Sequence, residues 1–227
     1  MISPDVKIVA VIPAYNEGWT IAKVIQGVRQ VVDVVVVVDD CSKDDTCIKA
    51  SSAGAYVIRH ETNGGYDKSI EDGFKEAAKL GAGVIVTCDA DGQHRPEDIS
   101  KVLEPILKGD ADVVAGQRNK LSRFGEKIFA IYARWRFGLH DPLCGLKAYR
   151  REVYDKVGYF DTFNSIGTQL LVEAWKNGYS IANVSVIVLP RPDESRFYAK
   201  LFRANVKILK AMFKIIRFTI WKTRKTV

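Results

Sequence analysis

Apolar, β-branched runs alternate with stretches of helical spacing through the first half of the chain. Lys7–Ile12, Val34–Val38, Tyr56–Ile58, Val84–Cys88 and Asp112–Ala115 are short, rich in valine and isoleucine and bounded by turn residues, which predicts buried strands. Between them Thr20–Val31, Ser69–Leu80 and Pro96–Leu107 place apolar residues at helix-compatible intervals. Strand and helix in alternation predict an α/β fold with a mostly parallel central sheet covered by helices on both faces. The second half is less regular. Its pattern predicts a helix over Ser122–Phe137, a loop through Asp141–Gly145, a helix near Thr168–Lys176 and a strand over Ile181–Leu189. No internal repeat or low-complexity segment interrupts it, so the expectation is one catalytic domain over residues 1–194 and an appended basic helix over 195–227.

Composition agrees with a single packed domain: 227 residues, 47% of them apolar. Charge changes the picture more. The net +7 is uneven, with 24 Lys and Arg against 27 Asp and Glu up to Glu194, then 10 Lys and Arg and no acid from Ser195 onward. A basic tail on a slightly acidic domain predicts an anionic surface as the partner of the tail and argues against nucleic acid as the partner of the whole. The four cysteines, Cys41, Cys47, Cys88 and Cys144, have no metal-ligand spacing, and Met1 leads at once into a core strand without a secretory pattern. The expected setting is reducing and cytoplasmic. No run reaches the roughly 18 apolar residues of a spanning helix.

Ligands of open α/β sheets bind beyond the carboxyl ends of the strands, and the unusual residues of this chain fall there. After the fourth predicted strand come Asp89, Asp91 and Gln93. Alternate residues of extended chain point the same way, so two carboxylates and an amide oxygen can converge on one hard divalent cation, Mg2+ or Mn2+. The competing reading is an ordinary Asp- and Gly-rich turn, in which the neighbouring His94 is merely solvated. The second strand ends in Asp39 and Asp40, side by side despite their repulsion. They can accept hydrogen bonds, one from a base N–H and one from a ribose or a water near the metal, or cap the helix that starts near Thr46. At the first strand, Pro13 is expected to stop the strand, Tyr15 to stack on a base and Glu17 to bind ribose hydroxyls, unless this is a plain strand-to-helix turn. Neither GxGxxG nor a P-loop follows the first strand.

The segments VIPAYNE, VVDDCSKDDT, NGGYDKSIEDGF and CDADGQ, in this order, resemble the family 2 glycosyltransferases, and most closely the branch of dolichol-phosphate mannose and glucose synthases. The resemblance continues through AGQR, DPLCGLKAYRREV and RPDESRF. It implies a GT-A fold, a nucleoside-diphosphate sugar donor (GDP-mannose first, UDP-glucose second), a divalent metal, a polyprenyl or dolichyl phosphate acceptor and inversion at the anomeric carbon. Carried onto this sequence, Pro13, Tyr15, Glu17, Asp39 and Asp40 would hold the nucleoside, and Asp89, Asp91 and Gln93 the metal. Arg118 and Arg196 would lie at the donor diphosphate and Arg134 at the acceptor phosphate, with a solvated helix face as the alternative for Arg134. The chain departs from the family where relatives carry an acidic run: it has Gly167-Thr168-Gln169-Leu170-Leu171. A hydroxyl acceptor would need a base, for which Asp141 or Glu173 are the candidates, whereas a phosphate monoester is already mostly dianionic at neutral pH.

In the tail, Arg196, Lys200, Arg203, Lys207, Lys210, Lys214 and Arg217 recur in steps of four and three, which aligns them on one helical stripe. Most of the remaining circumference is apolar. The expectation is a helix lying at a membrane interface, basic stripe to the headgroups, peripheral on the cytoplasmic face. The alternatives are packing of the apolar face on the domain or on a second subunit. A second candidate membrane contact is the segment 123–137, with Phe124, Ile131 and Trp135 among basic residues.

Overall fold

The computed structural model describes residues 6–190 and 201–223. Seven strands form one sheet in the order β3-β2-β1-β4-β6-β5-β7. These are β1 (Ile8–Ala14), β2 (Val34–Asp39), β3 (Tyr56–Arg59), β4 (Val84–Thr87), β5 (Val113–Arg118), β6 (Lys147–Arg150) and β7 (Ile181–Val186). All pairings are parallel except those of β6, which runs antiparallel to both β4 and β5. The five strands predicted in the first half are present, each displaced by at most a few residues. Pro13 does not stop β1: it pairs with Val38 and the strand runs on to Ala14.

Alternate strand residues feed two cores. Val9, Val11, Val36, Val38, Ile85 and Val113 point to one face, and Ala10, Ile12, Val35, Val37, Val84 and Val114 to the other. This period of two, with both faces apolar, is why the strands read as continuous valine runs. The first face is covered by α3 (Tyr66–Lys79), α5 (Phe124–Phe137), α6 (Arg151–Val157), α7 (Gln169–Lys176) and α8 (Leu201–Thr223), and the second by α1 (Ile21–Val28), α2 (Thr46–Ser52) and α4 (Pro96–Lys108). Local sequence sets the ends of α4, which starts with Pro96, Glu97 and Asp98 in its first turn and stops at the left-handed Gly109.

The short pair β6 and α6 is not visible in the hydrophobic pattern, because β6 is only Lys-Ala-Tyr-Arg and its Lys147 lies at the site. The tail helix α8 runs beside α5 in the same direction: Asn205 Oδ1 accepts the Gly125 N–H at 2.8 Å, and Tyr132, about two turns further along α5, meets Thr219, about four turns further along α8. Ile208, Ala211 and Ile215 of α8 enter the first core. Packing therefore takes part of the apolar face that the sequence offered to a membrane. At 3.6 residues per turn α8 has three sectors: the core side, the basic stripe, and an outer side on which Phe213 and Ile220 stay exposed. On α5, Phe124, Ile131 and Trp135 are likewise exposed. No helix among the described residues is long and apolar enough to cross a membrane.

Candidate functional site

The chain order reverses at β1, whose neighbours are β2 on one side and β4 on the other. Such a switch point opens a crevice at the carboxyl ends of the strands, and here it gathers Asp39 from β2, the turn 89–94 after β4, and Arg118 from the end of β5.

Asp39 is fully buried. Its Oδ1 accepts the Ser42 N–H at 3.1 Å, while Oδ2 has no hydrogen-bond partner and only the exposed Arg59 Nε at 3.5 Å. A buried carboxylate oxygen without a donor is costly, and it marks a position at which an incoming N–H would be held. Asp40 differs. Its carboxylate accepts from Gly64 N at 2.7 Å, Gly65 N at 2.8 Å and His60 Nδ1 at 2.8 Å. It therefore secures the loop before α3. Neither aspartate caps α2; Asp44 bonds the Thr46 N–H and hydroxyl instead. Tyr15 is exposed at the crevice edge, and Glu17 is tied into the same turn through Thr46 and Thr20.

Asp89, Asp91 and Gln93 are held by a dense turn. Gln93 N donates to Asp91 Oδ1 at 3.1 Å and Gln93 Nε2 to the Leu189 carbonyl at 2.8 Å, so the amide is oriented from β7's end. Gly145 lies so close to Asp89 that a Cβ there would collide with both carboxylate oxygens. His94 is not solvated: its side chain is 5% exposed, with Nε2 3.4 Å from Asp89 Oδ2. Burial alone would lower the imidazole and raise the carboxyl, but their hydrogen bond and mutual charge shift both the other way, His94 up and Asp89 down. Among the described residues no three His, Cys, Asp or Glu side chains form a closed metal cage. The donor set is two carboxylates and an amide oxygen, all hard oxygen ligands, which fits a divalent ion that completes its shell with phosphate oxygens and water.

Arg118 lies beyond this turn. Its Nε and Nη2 grip Asp141 at 2.7 and 3.0 Å in a bidentate fork, and Nη1 is 3.5 Å from Glu126. Burial would lower this guanidinium, but Asp141 and Glu126 raise it further. With both oxygens of Asp141 engaged, that residue positions Arg118 and is not placed as a free base. Glu173, the other candidate base, is buried on α7 against Tyr159. Arg134 is exposed in the last turn of α5, about 12 Å along the axis from Glu126. Its exposure accords with the alternative of a solvated helix face. Arg196 lies outside the described residues.

One central residue has no counterpart in the sequence reading. Lys147 is 2% exposed, donates to the Gly167 carbonyl at 2.8 Å and feels the charges of Asp67, Asp89 and Asp141. Its signal was a lysine where an inward strand position should be apolar. Asp67 bonds the Gly167 N–H at 2.7 Å, and burial together with Asp161 pushes its carboxyl up to about 6 from 3.8. The folded chain thus binds the extra proton between these values, and stability falls as pH rises through that window. Asp67→Asn keeps an acceptor for Gly167, so it is expected to stabilise by about 2 kcal/mol at pH 7.5. In thermal melts the gain should vanish below pH 4.

Residues 9–158 match the family model Glycosyl transferase family 2. The chain is 31% identical to a dolichyl-phosphate hexose transferase of Haloferax volcanii, over 90% of this chain and 92% of that one. It is 27% identical to a polyprenol monophosphomannose synthase of Mycolicibacterium smegmatis, over 96% and 89%. Glucosyl-3-phosphoglycerate synthase from Mycobacterium tuberculosis, solved with Mn2+ and UDP, superposes with a TM-score of 0.74 at 22% identity, covering 92% of this chain and 80% of that one. The sheet described above is thus the GT-A fold, and by the family match over most of its length the chain is a glycosyltransferase that belongs to glycosyl transferase family 2.

Proposed function

We propose that this chain transfers a hexose from a nucleoside-diphosphate sugar to a polyprenyl or dolichyl phosphate by direct displacement with inversion. GDP-mannose is the first candidate donor and UDP-glucose the second. The observation that carries the reading is the polarity of the crevice: a buried, unpartnered Asp39 oxygen at one end, the Asp89, Asp91 and Gln93 oxygens in the middle, and the locked Arg118 guanidinium at the other. A base at the Asp39 end and a diphosphate reaching from the Asp89, Asp91 and Gln93 oxygens to Arg118 match these stations. The activities for which the Haloferax and Mycolicibacterium relatives are named support the lipid phosphate acceptor.

In the reaction, an acceptor phosphate oxygen forms a bond to the anomeric carbon as the bond from that carbon to the diphosphate oxygen breaks. The leaving nucleoside diphosphate keeps the electron pair. A dianionic monoester becomes a monoanionic diester, so no proton has to be removed. Mg2+ or Mn2+ held by Asp89, Asp91 and Gln93 would supply Lewis acidity at the diphosphate. Arg118 offers fixed N–H donors at no cost of reorganisation, since Asp141 already holds it. Asp39 would fix the base and so the donor's register. The exposed Phe124, Ile131 and Trp135 of α5, with Phe213 and Ile220 of α8, would rest on the membrane, peripheral on its cytoplasmic side.

Release of nucleoside diphosphate from a panel of GDP- and UDP-sugars, with and without a short polyprenyl phosphate, tests the reading. One donor should turn over only with the lipid phosphate present; equal turnover with the dephosphorylated lipid defeats it. In the same assay Asp39→Ala should raise the donor KM about tenfold with kcat little changed, because it removes one charge-assisted hydrogen bond used equally in ground and transition states.

A further inference from the structure

A cleft of ≈ 380 Å³ opens between α8 and the N-terminal end of α3, a volume in the range of small-ligand sites. Arg203, Lys207, Lys210 and Lys214 stand on the α8 side, facing Tyr66 and Asp67. The basic stripe that the sequence assigned to membrane headgroups is thus turned toward the site. Four cations on one small cleft repel each other. Lys214 donates to the Phe163 carbonyl at 2.6 Å, and no ion pair among the described residues engages Arg203, Lys207 or Lys210. The acid on the lining, Asp67, is one carboxylate against four cations, and its Oδ1 is turned to Gly167.

The cleft also adjoins the reacting centre. Gly167, which Asp67 holds, accepts from Lys147, and Lys147 pairs across the sheet with Thr87, two residues before Asp89. The other two cation groups have different work: Arg118 is locked to Asp141, and Arg134 faces solvent at the far end of α5.

We propose that this cleft receives the phosphomonoester of the acceptor, with Arg203, Lys207 and Lys210 as its ligands, so that the phosphate approaches the sugar from the α8 side. The inference rests on the transferase reading, in which such an acceptor is required. Three flexible cations suit a phosphate that must be captured, turned toward the anomeric carbon and released as a diester. The outer side of α8, with Phe213 and Ile220, then lies beside the cleft mouth, where a prenyl chain would leave it.

The test is calorimetric titration of the full chain with geranyl phosphate, a probe short enough to need no membrane, against Lys207→Gln/Lys210→Gln. Both lysines are exposed, so the double variant should melt with the native chain. The expected result is at least tenfold weaker binding of geranyl phosphate in the variant and, in turnover, a KM for geranyl phosphate raised at least tenfold with the donor KM unchanged. Geraniol should not bind, and inorganic phosphate should bind more weakly than its geranyl ester. Unchanged geranyl phosphate affinity in the variant overturns the proposal, as does absence of binding to the native chain. Equal affinity for inorganic phosphate also overturns it, in favour of a free-phosphate site. Binding that depends on α8 but with no transfer from any donor would strike the transferase reading alone and leave a phosphomonoester site.

Discussion

Asp91→Ala is expected to lower turnover at least about 10³-fold, whichever donor the enzyme uses, because Lewis-acid stabilisation of a departing diphosphate is worth several kcal/mol. Asp91 is 7% exposed and its Oδ1 already orients the Gln93 N–H. Its loss therefore removes one hard ligand and loosens a second. The Asp89 carboxylate lies against Gly145, which closes it in on that side. Two measurements separate this from a fold effect. Thermal melting without metal should change little, since the variant deletes one turn hydrogen bond worth about 1 kcal/mol. Chelation of divalent ions should bring the native enzyme down to the level of the variant and leave the variant where it is. If Asp91→Ala keeps a tenth of native turnover, or chelation has no effect on the native chain, the Asp89, Asp91 and Gln93 group is not a metal site.

The parts of the fold that were legible in sequence are those where one local rule dominates. Valine runs buried on both faces gave β1, β2, β4 and β5, and the turns at their carboxyl ends gave Asp39, Asp89 and Asp91, because a charged residue directly after a core strand can lie only at the sheet's edge. Legibility failed where a tertiary partner set the role. Asp39 and Asp40 are adjacent and chemically equal, yet one keeps a bare oxygen and the other is filled by a loop more than 20 residues away. Lys147 reads as an interruption of a strand until its burial and its bond to the Gly167 carbonyl are known. His94 reads as a solvated turn residue until its burial against Asp89 is known. The steps of four and three in α8 did predict a single basic stripe; they carry no information on which way it faces. That was fixed by Ile208, Ala211 and Ile215 entering the core and turning the stripe toward α3.

Asp141→Asn is expected to cut kcat about 10²-fold while leaving the shape of the pH–rate profile intact. The amide keeps the size of the side chain but cannot accept both N–H groups of the Arg118 fork, nor offset its charge. A buried pair broken on one side leaves the other charge uncompensated, which costs several kcal/mol unless that charge moves. Arg118 has another carboxylate in reach, Glu126 at 3.5 Å, and would swing toward it and away from the crevice. Misplacing a donor at a developing charge costs 10²- to 10³-fold in rate, and the loss should fall on kcat more than on the donor KM. The rival assignment makes Asp141 a general base for a hydroxyl acceptor, and then the same variant would remove the acidic limb of the profile, since there would be no carboxylate left to protonate. A retained acidic limb identifies Asp141 as the residue that holds Arg118; a lost one identifies it as the base, and a hydroxyl takes the place of the phosphate as acceptor. Arg118→Lys sharpens the distinction. A lysine keeps the charge but cannot make the fork, so the positioning role predicts a loss comparable to that of Asp141→Asn and a double variant scarcely worse than either single one, because the two residues act as one unit.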